Sequence, residues 1–364
     1  MFEVITDDKG VRAGILATAH GKVETPLFLT VATKAAVKHI SVPELEQMGA
    51  QGIIANSYLL SQKPGIEIIR KAKGIHSFMG FSGCIFTDCG GFQAIRDEMF
   101  VKVVNDGIML KSPFDGKKHL LNPETVMGWH NTIGSDVAMV LDDMPLHDAT
   151  KERVAESVKR SYTWAQECVK HHDNDKQMLF GIAQGGTYPE LRKKSIEMTR
   201  KLDVDGIALG GLAVGEEKGK MHKMIEIGAK LMPREKPRYV MGLGSPEDIV
   251  RAVSQGMDIF DSVYPTRNAR HGMLFTHKGE LRITHAKYAK DFKAVDSECE
   301  CFVCRNHTRA YLHHLFKSNE PLHYNLSTYH NLFFMQQLMR EIRTAIVGRR
   351  FVRYARDFLK GYKV

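Results

Sequence analysis

No stretch of this chain approaches the roughly 18 to 20 uncharged apolar residues that a membrane-spanning helix needs, so no partner membrane is expected. The opening residues, MFEVITDDKGVRAG, lack the basic block and following apolar block of a secretory leader, and the chain reads as soluble and cytoplasmic. Cysteine is scarce. Six in 364 residues are too few for a disulfide scaffold. Low-complexity tracts and Pro/Gly/Ser linkers are missing too, which argues against a string of independent modules. Acidic residues are outnumbered, 42 against 51 Lys and Arg, giving a formal net charge of +9. That balance suits a polyanionic partner, nucleic acid above all, and equally a merely basic enzyme. The 43% of hydrophobic residues allows a sizeable core, either one large domain with an appendage or two ordinary ones.

A repeated pattern fills the chain. Short runs of Val, Ile, Leu and Ala end in a polar residue or glycine and give way to a helical stretch. They are PLFLTVAT from Pro26, GIIANS from Gly52, CIFTD from Cys84, DVAMVLDD from Asp136, LFGIAQGG from Leu179, GIALGG from Gly206, RYVMGLG from Arg238 and MDIFDSV from Met257. Runs apolar on both faces fit parallel strands covered on both sides. The segment from Thr150 opens on a Thr cap and repeats apolar residues at Val154, Val158, Tyr162 and Ala165, as a helix would. Similar helices are expected over 189–202 and 246–255. Eight strands alternating with helices predict an α/β fold, a (β/α)8 TIM barrel. The rival, an open doubly wound sheet, would carry a glycine fingerprint after its first strand, and none is present. Two insertions interrupt the pattern: a hairpin around Asn105-Asp106-Gly107, and a longer segment from about Leu274 to Leu326 that carries three cysteines.

In such barrels chemistry sits at the C-terminal ends of the strands. Those ends read Asp88, Asp142 with Asp143, Gln184, Gly210 with Gly211, Gly242 with Gly244, and Asp261. A lone Asp after a strand is usually a helix cap or a turn residue. Carboxylates from three strands, with an amide and glycine pairs beside them, are more than capping requires. Paired carboxylates suit glycosidic chemistry, one attacking the anomeric carbon and one moving protons. Glycines suit close approach of the backbone to a planar ligand, and Asp142 with Gln184 could read the edge of a purine-like base.

Cys299-x-Cys301-x2-Cys304 places three thiols within six residues, the donor set of a structural zinc site in a reducing compartment. The fourth ligand is open among His307, His313, His314, His323 and His330. After Asp261, Arg267 and Arg270 stand where they could grip phosphates beside a reacting sugar. The C-terminal stretch REIRTAIVGRRFVRYARDFLKGYK interleaves arginines with aromatics and reads equally as a phosphate-binding face or a solvated one.

Six segments, in order across nearly the whole chain, closely resemble the tRNA-guanine transglycosylases: TDCGGFQ (87–93), GIAQGG (181–186), GGLAVGE (210–216), MGLG (241–244), FDSVYPTRNARHG (260–272), and the cysteines with the later His330-Asn331 pair. The resemblance implies a single zinc-containing barrel over 1–364, with a zinc-binding insertion at 274–330. It implies an enzyme, a homodimer, that replaces guanine at the tRNA wobble position by a 7-deazaguanine on the path to queuosine. It makes Asp261 the nucleophile of a covalent ribosyl–enzyme intermediate and Asp88 the general acid/base. Phe92 and Met241 would sandwich the base. Asp142, Gln184, Gly211 and Leu212 would read its edge, the last two through their backbones. Arg267 and Arg270 would contact tRNA, and Cys299, Cys301, Cys304 and His330 would hold structural Zn2+.

The chain departs from the family in places. Phe92 stands where bacterial members usually have Tyr, Cys89 where they have Ser, and Asp143-Met144 where they have Glu-Cys. Val214 stands where eukaryotic members tend to have glycine. The entering base is open between 7-aminomethyl-7-deazaguanine and queuine. A non-catalytic tRNA-binding partner subunit is the alternative reading, and the presence of both Asp88 and Asp261 argues against it.

Overall fold

Segments that are apolar on both faces must be covered on both faces. The computed structural model, which describes residues 1–90 and 99–363, closes eight of them into one parallel barrel. The strands are β1 (Leu27–Val31), β2 (Gly52–Asn56), β3 (Cys84–Asp88), β4 (Val137–Met139), β5 (Met178–Ala183), β6 (Gly206–Leu209), β7 (Arg238–Val240) and β8 (Ile259–Ser262). They pair in chain order, and β8 returns to β1 with Ile259 opposite Leu27. All eight expected runs are barrel strands, and closure removes the open sheet. Inside, Phe86 of β3 meets Phe180 of β5 edge-on at 5.6 Å and Tyr239 of β7 at 6.0 Å. Rings from three odd-numbered strands thus share one layer, and burying each stabilises the core by about 1.5–3 kcal/mol.

The barrel floor is latched by aspartates that precede alternate strands. Asp136, Asp205 and Asp258 each accept the amide of a residue in the preceding strand, Ile85, Leu179 and Arg238 respectively. An antiparallel sheet that the sequence reading left unassigned lies across this floor: Phe2–Asp8, Val11–Thr18 and Gly21–Thr25. Its residues reach the start of β8 through the buried Arg12–Asp258 pair, β4 through His20–Asp136 (2.9 Å), and β2 through Gln51. With the floor covered, the barrel is entered from its C-terminal mouth.

The helix at 151–171 begins as expected, with the Thr150 hydroxyl accepting from the Arg153 amide. The expected hairpin forms around Asn105-Asp106, between Phe100–Val104 and Gly107–Lys111. A third strand joins it, Lys118–Leu121, too short and too polar to stand out in the sequence. After β8 come a short helix, Tyr264–Arg270, a hairpin of Met273–Thr276 with Gly279–Arg282, two more helices, and then the 26-residue helix Leu322–Val347. The last helix, Phe351–Gly361, buries Phe351 and Ala355 and turns its arginines outward, where Arg353 and Arg356 both pair with Asp357. No helix among the described residues is long and apolar enough to cross a membrane.

Candidate active site and metal centre

The C-terminal strand ends surround a cavity of about 240 Å³. Asp88, Asp142, Gly211, Leu212, Met241, Asp261 and Arg267 all line it, so residues from five strand ends and the helix after β8 converge as the sequence suggested. Gln184 stands just behind the wall, fully buried. Arg270 is one turn beyond Arg267 on the helix at 264–270. Phe92 lies outside the described residues.

Asp261, next to last in β8, is held on one side only. The Tyr239 hydroxyl and the Gly242 amide (3.0 Å) both donate to Oδ1. Oδ2 accepts no hydrogen bond among the described residues. Burial pushes the Asp261 pKa up, and the two donors oppose that shift. A carboxylate with one oxygen anchored and the other unoccupied at a cavity wall is arranged for attack.

Asp88 ends β3. Its Oδ1 accepts from the Asn56 amide at 2.5 Å and from the Gly90 backbone at 2.8 Å. Burial pushes its pKa up to about 7; Gly90 opposes this, while the charges of Asp261 and Asp142 add to it. A carboxyl group poised near neutrality can give and take a proton.

Asp142 has both oxygens engaged: the Gln184 amide donates to Oδ2 at 2.5 Å, and the Cys89 thiol lies 3.6 Å from Oδ1. Burial raises it to about 6, against the pull of both partners. Gln184 Oε1 is buried without a partner among the described residues, turned toward the Gly210-Gly211 turn. Gly211 has φ +66°, and a Cβ there would sit 2.5 Å from that oxygen, so only glycine fits. The Gly211 and Leu212 amides have no hydrogen-bond partner among the described residues. Donors and acceptors of both kinds therefore face the space where a flat heterocycle would lie.

Asp143 does not join them. Its carboxylate turns away onto the helix at 151–171, where Arg153 binds it with both terminal nitrogens and Arg160 through Nε at 2.8 Å. Alternation along the chain end explains it: Asp142 faces inward, so its neighbour faces out. Met144 returns to the cavity wall.

Two further groups shape the loops. Arg192, fully buried on the helix Pro189–Thr199, donates to the carbonyls of Ala183 (2.6 Å), Gly210 (3.0 Å) and Gly186 (2.9 Å), tying the end of β5 to that of β6. Glu216 accepts the amides of Ala213 and Val214 and closes the turn carrying Leu212. Asn56, Tyr239 and Arg192 were missed in the sequence. Asn56 was visible as the polar end of an apolar run. Tyr239 and Arg192 look there like core and surface residues.

The three cysteines and His330 form a buried cluster. His330 Nδ1 lies 3.9, 3.5 and 3.4 Å from the sulfurs of Cys299, Cys301 and Cys304. A tetrahedral ion bound at 2.3 Å to sulfur and 2.0–2.1 Å to nitrogen requires an S···N edge of about 3.6 Å. The donor set and spacing fit such an ion. The opposite ring nitrogen, Nε2, lies 2.7 Å from the Phe275 carbonyl, which orients Nδ1 toward the sulfurs. Of the candidate histidines, His330 is the one beside the sulfurs. A second group, His20, His76 and Asp136, lies at the barrel floor, where Asp136 is already engaged by both rings and by Ile85.

The sequence profile of the family described as queuine tRNA-ribosyltransferase matches residues 7–364. A queuine tRNA-ribosyltransferase of Caldanaerobacter subterraneus subsp. tengcongensis is 44% identical over 99% of this chain and 97% of its own. One of Pelotomaculum thermopropionicum is 43% identical over 98% and 96%. One of Bacillus licheniformis is 42% identical over 97% and 93%. Matches of this extent, together with the barrel and the carboxylates at its mouth, establish that the chain belongs to the queuine tRNA-ribosyltransferase family.

Proposed function

We propose that this transferase exchanges the guanine at the wobble position of a tRNA anticodon for a 7-deazaguanine base, in queuosine formation, and that Asp261 carries the ribose between the two bases. The observation that carries this reading is the state of Asp261: one oxygen held by Tyr239 and Gly242, the other without a hydrogen bond among the described residues, at a cavity wall shared with Asp88.

The chemistry follows as two displacements. Asp261 Oδ2 attacks the anomeric carbon, the glycosidic bond breaks, and guanine leaves with a proton from Asp88, whose pKa burial brings up to about 7, so that a substantial share of it is protonated at neutrality. Once Asp261 is an ester its negative charge is gone. One cause of the raised Asp88 pKa disappears with it, so the proton leaves Asp88 more readily when the product base is formed. Asp88, now a carboxylate, takes a proton from the entering base, which displaces Asp261 from the face guanine left. Two inversions retain configuration.

Met241 and Phe92 would flank the base, while Asp142, Gln184 and the Gly211 and Leu212 amides read its edge. Met144 and Val214 line the wall where a 7-substituent would project, and 7-aminomethyl-7-deazaguanine and queuine both stay candidates for the entering base. The target nucleotide must leave its stack, at a cost of a few kcal/mol. Arg267 and Arg270 would offset it by contacting phosphates. We treat residues 1–364 as one catalytic barrel with a zinc-binding insertion at 274–330. Cys299, Cys301, Cys304 and His330 would hold Zn2+, and four protein ligands would leave it a structural role. A homodimer fits the exposed rings of Phe302 and Tyr311 on the insertion, 49% and 38% accessible, with His307 stacked on Tyr311 at 5.1 Å.

The test is a denaturing gel of the enzyme with a tRNA anticodon stem-loop and a 7-deazaguanine. A covalent RNA–protein band is expected for the wild type and none for Asp261→Asn. A band that persists in Asp261→Asn would remove Asp261 from the role of nucleophile.

A further inference from the structure

Outside the cavity a ladder of rings climbs the mouth of the barrel. Phe316 lies 4.6 Å from His323, His323 lies 3.9 Å from Tyr324, and Tyr324 stacks on His39 at 4.8 Å with 14° between the planes. His39 is the outermost rung, and it is exposed. It also sits in a conformation that suits glycine, with φ +64°. A non-glycine residue there is held at a cost. Here the holding group is Asn325, whose side-chain amide donates to the His39 carbonyl at 2.9 Å and to Glu44 at 2.8 Å.

Position suggests a use. His39 lies in the loop after β1, the loop that also brings Thr33 to the cavity. The Arg270 charge acts on both His39 and Tyr324. Arg267, one turn earlier, lines the cavity itself. Arg267 at the cavity is therefore linked through Arg270, one turn on along the same helix, to the ladder. Arg270 Nη1 is buried without a partner, and no carboxylate pairs with either arginine among the described residues. Partial burial, with Arg270, Lys38 and His323 nearby, lowers the His39 pKa and favours the neutral ring.

We infer that His39 and Tyr324 form a stacking platform for an unpaired RNA base that flanks the exchanged nucleotide, with Arg267 and Arg270 on the phosphates between them. An exposed aromatic face beside unpaired guanidinium groups is the arrangement that binds single-stranded nucleic acid. The inference rests on the reading of tRNA as substrate.

Exchange of labelled guanine into an anticodon stem-loop tests it. His39→Gly removes the ring and relieves the backbone. Tyr324→Leu removes the ring and keeps apolar bulk. Each is expected to raise KM for the stem-loop about tenfold, with kcat and KM for guanine unchanged, while Tyr324→Phe keeps the wild-type KM. On wild type, an abasic nucleotide placed directly 5′ or directly 3′ of the target should raise KM at one of the two positions, and His39→Gly should erase that difference. A KM within twofold of wild type for His39→Gly, or an abasic penalty equal in both proteins, would overturn the platform. Should Tyr324→Leu fail to fold, His39→Gly decides alone. Absence of any exchange by the wild type would instead overturn the underlying function, which keeps the two failures apart.

Discussion

Asp88 and Asp261 are neighbours at one mouth, yet their surroundings prepare them for different tasks. Asp261 keeps two donors on a single oxygen, which sets the direction of the other. Removing one donor should therefore loosen aim more than binding. Tyr239→Phe is expected to lower kcat about tenfold or more and leave KM for RNA nearly unchanged, measured by steady-state guanine exchange. Asp88, raised to about 7 by burial first and then by the charges of Asp261 and Asp142, carries a stability cost as well as a role. A carboxyl whose folded pKa exceeds its unfolded one favours the folded state at low pH. That contribution is complete below about pH 4 and is lost as the pH rises through 7. Asp88→Asn should thus abolish exchange yet raise Tm at pH 8.5 by about 2 °C or more, a gain that vanishes toward pH 4. Thermal melts at the two pH values would show it; no gain at pH 8.5 would mean that the site does not raise the Asp88 pKa. Single residues were only partly legible in the sequence. Asp88, Asp142 and Asp261 stood out because a charge at the end of an apolar run is conspicuous. The strand-end pattern alone did not separate Asp143 from Asp142, since a strand end does not say which of two neighbours turns inward; the family resemblance singled out Asp142. Tyr239 was hidden because a core ring and a ring with a working hydroxyl are spelled alike.

The elements that hold these residues are of two kinds. The eight barrel strands could be read directly, because strands buried on both faces have little choice but continuous apolar sequence. The floor sheet could not, since VRAGILAT and GKVET mix apolar and polar residues in no clear period. The loops that follow β5 and β6 depend on a contact that no local pattern reveals. Arg192 comes from the following helix and gathers three carbonyls of two loops. Arg192→Ala would strand those carbonyls in the interior. A fall in Tm of about 5 °C or more is expected, with a rise in KM for guanine larger than that for RNA. Equal changes in both constants would point to general loosening of the barrel instead of displacement of Gln184 and Gly211.

For the molecule as a whole, if the proposed function holds, the formal net charge of +9 and the arginines at the mouth, which pair with no carboxylate among the described residues, would make RNA binding an ionic event, whereas binding of a neutral base would not be. Raising salt from about 50 to 200 mM should increase KM for the stem-loop at least tenfold and leave KM for guanine within about twofold. Sedimentation is expected to give twice the 41.1 kDa chain mass, and a single-chain mass would remove the homodimer. The metal cluster and the ladder are joined by one rod. Leu322–Val347 carries Tyr324 at its first turn and His330 two turns on. Asn331 follows, bonded to Phe275, Pro265 and Met273, and Arg343, which holds the Gly14 and Thr25 carbonyls at the floor, lies near its end. At 1.5 Å per residue, 26 residues span about 39 Å. Stripping the ion with a strong chelator frees the upper part of that rod and leaves its lower part fastened. The protein should then keep its barrel, visible as unchanged far-UV ellipticity, while its melting temperature falls and its affinity for RNA falls further. A cell short of the metal would hold enzyme that is folded but deaf to its substrate, and restoring the ion alone, without new synthesis, would return its hearing.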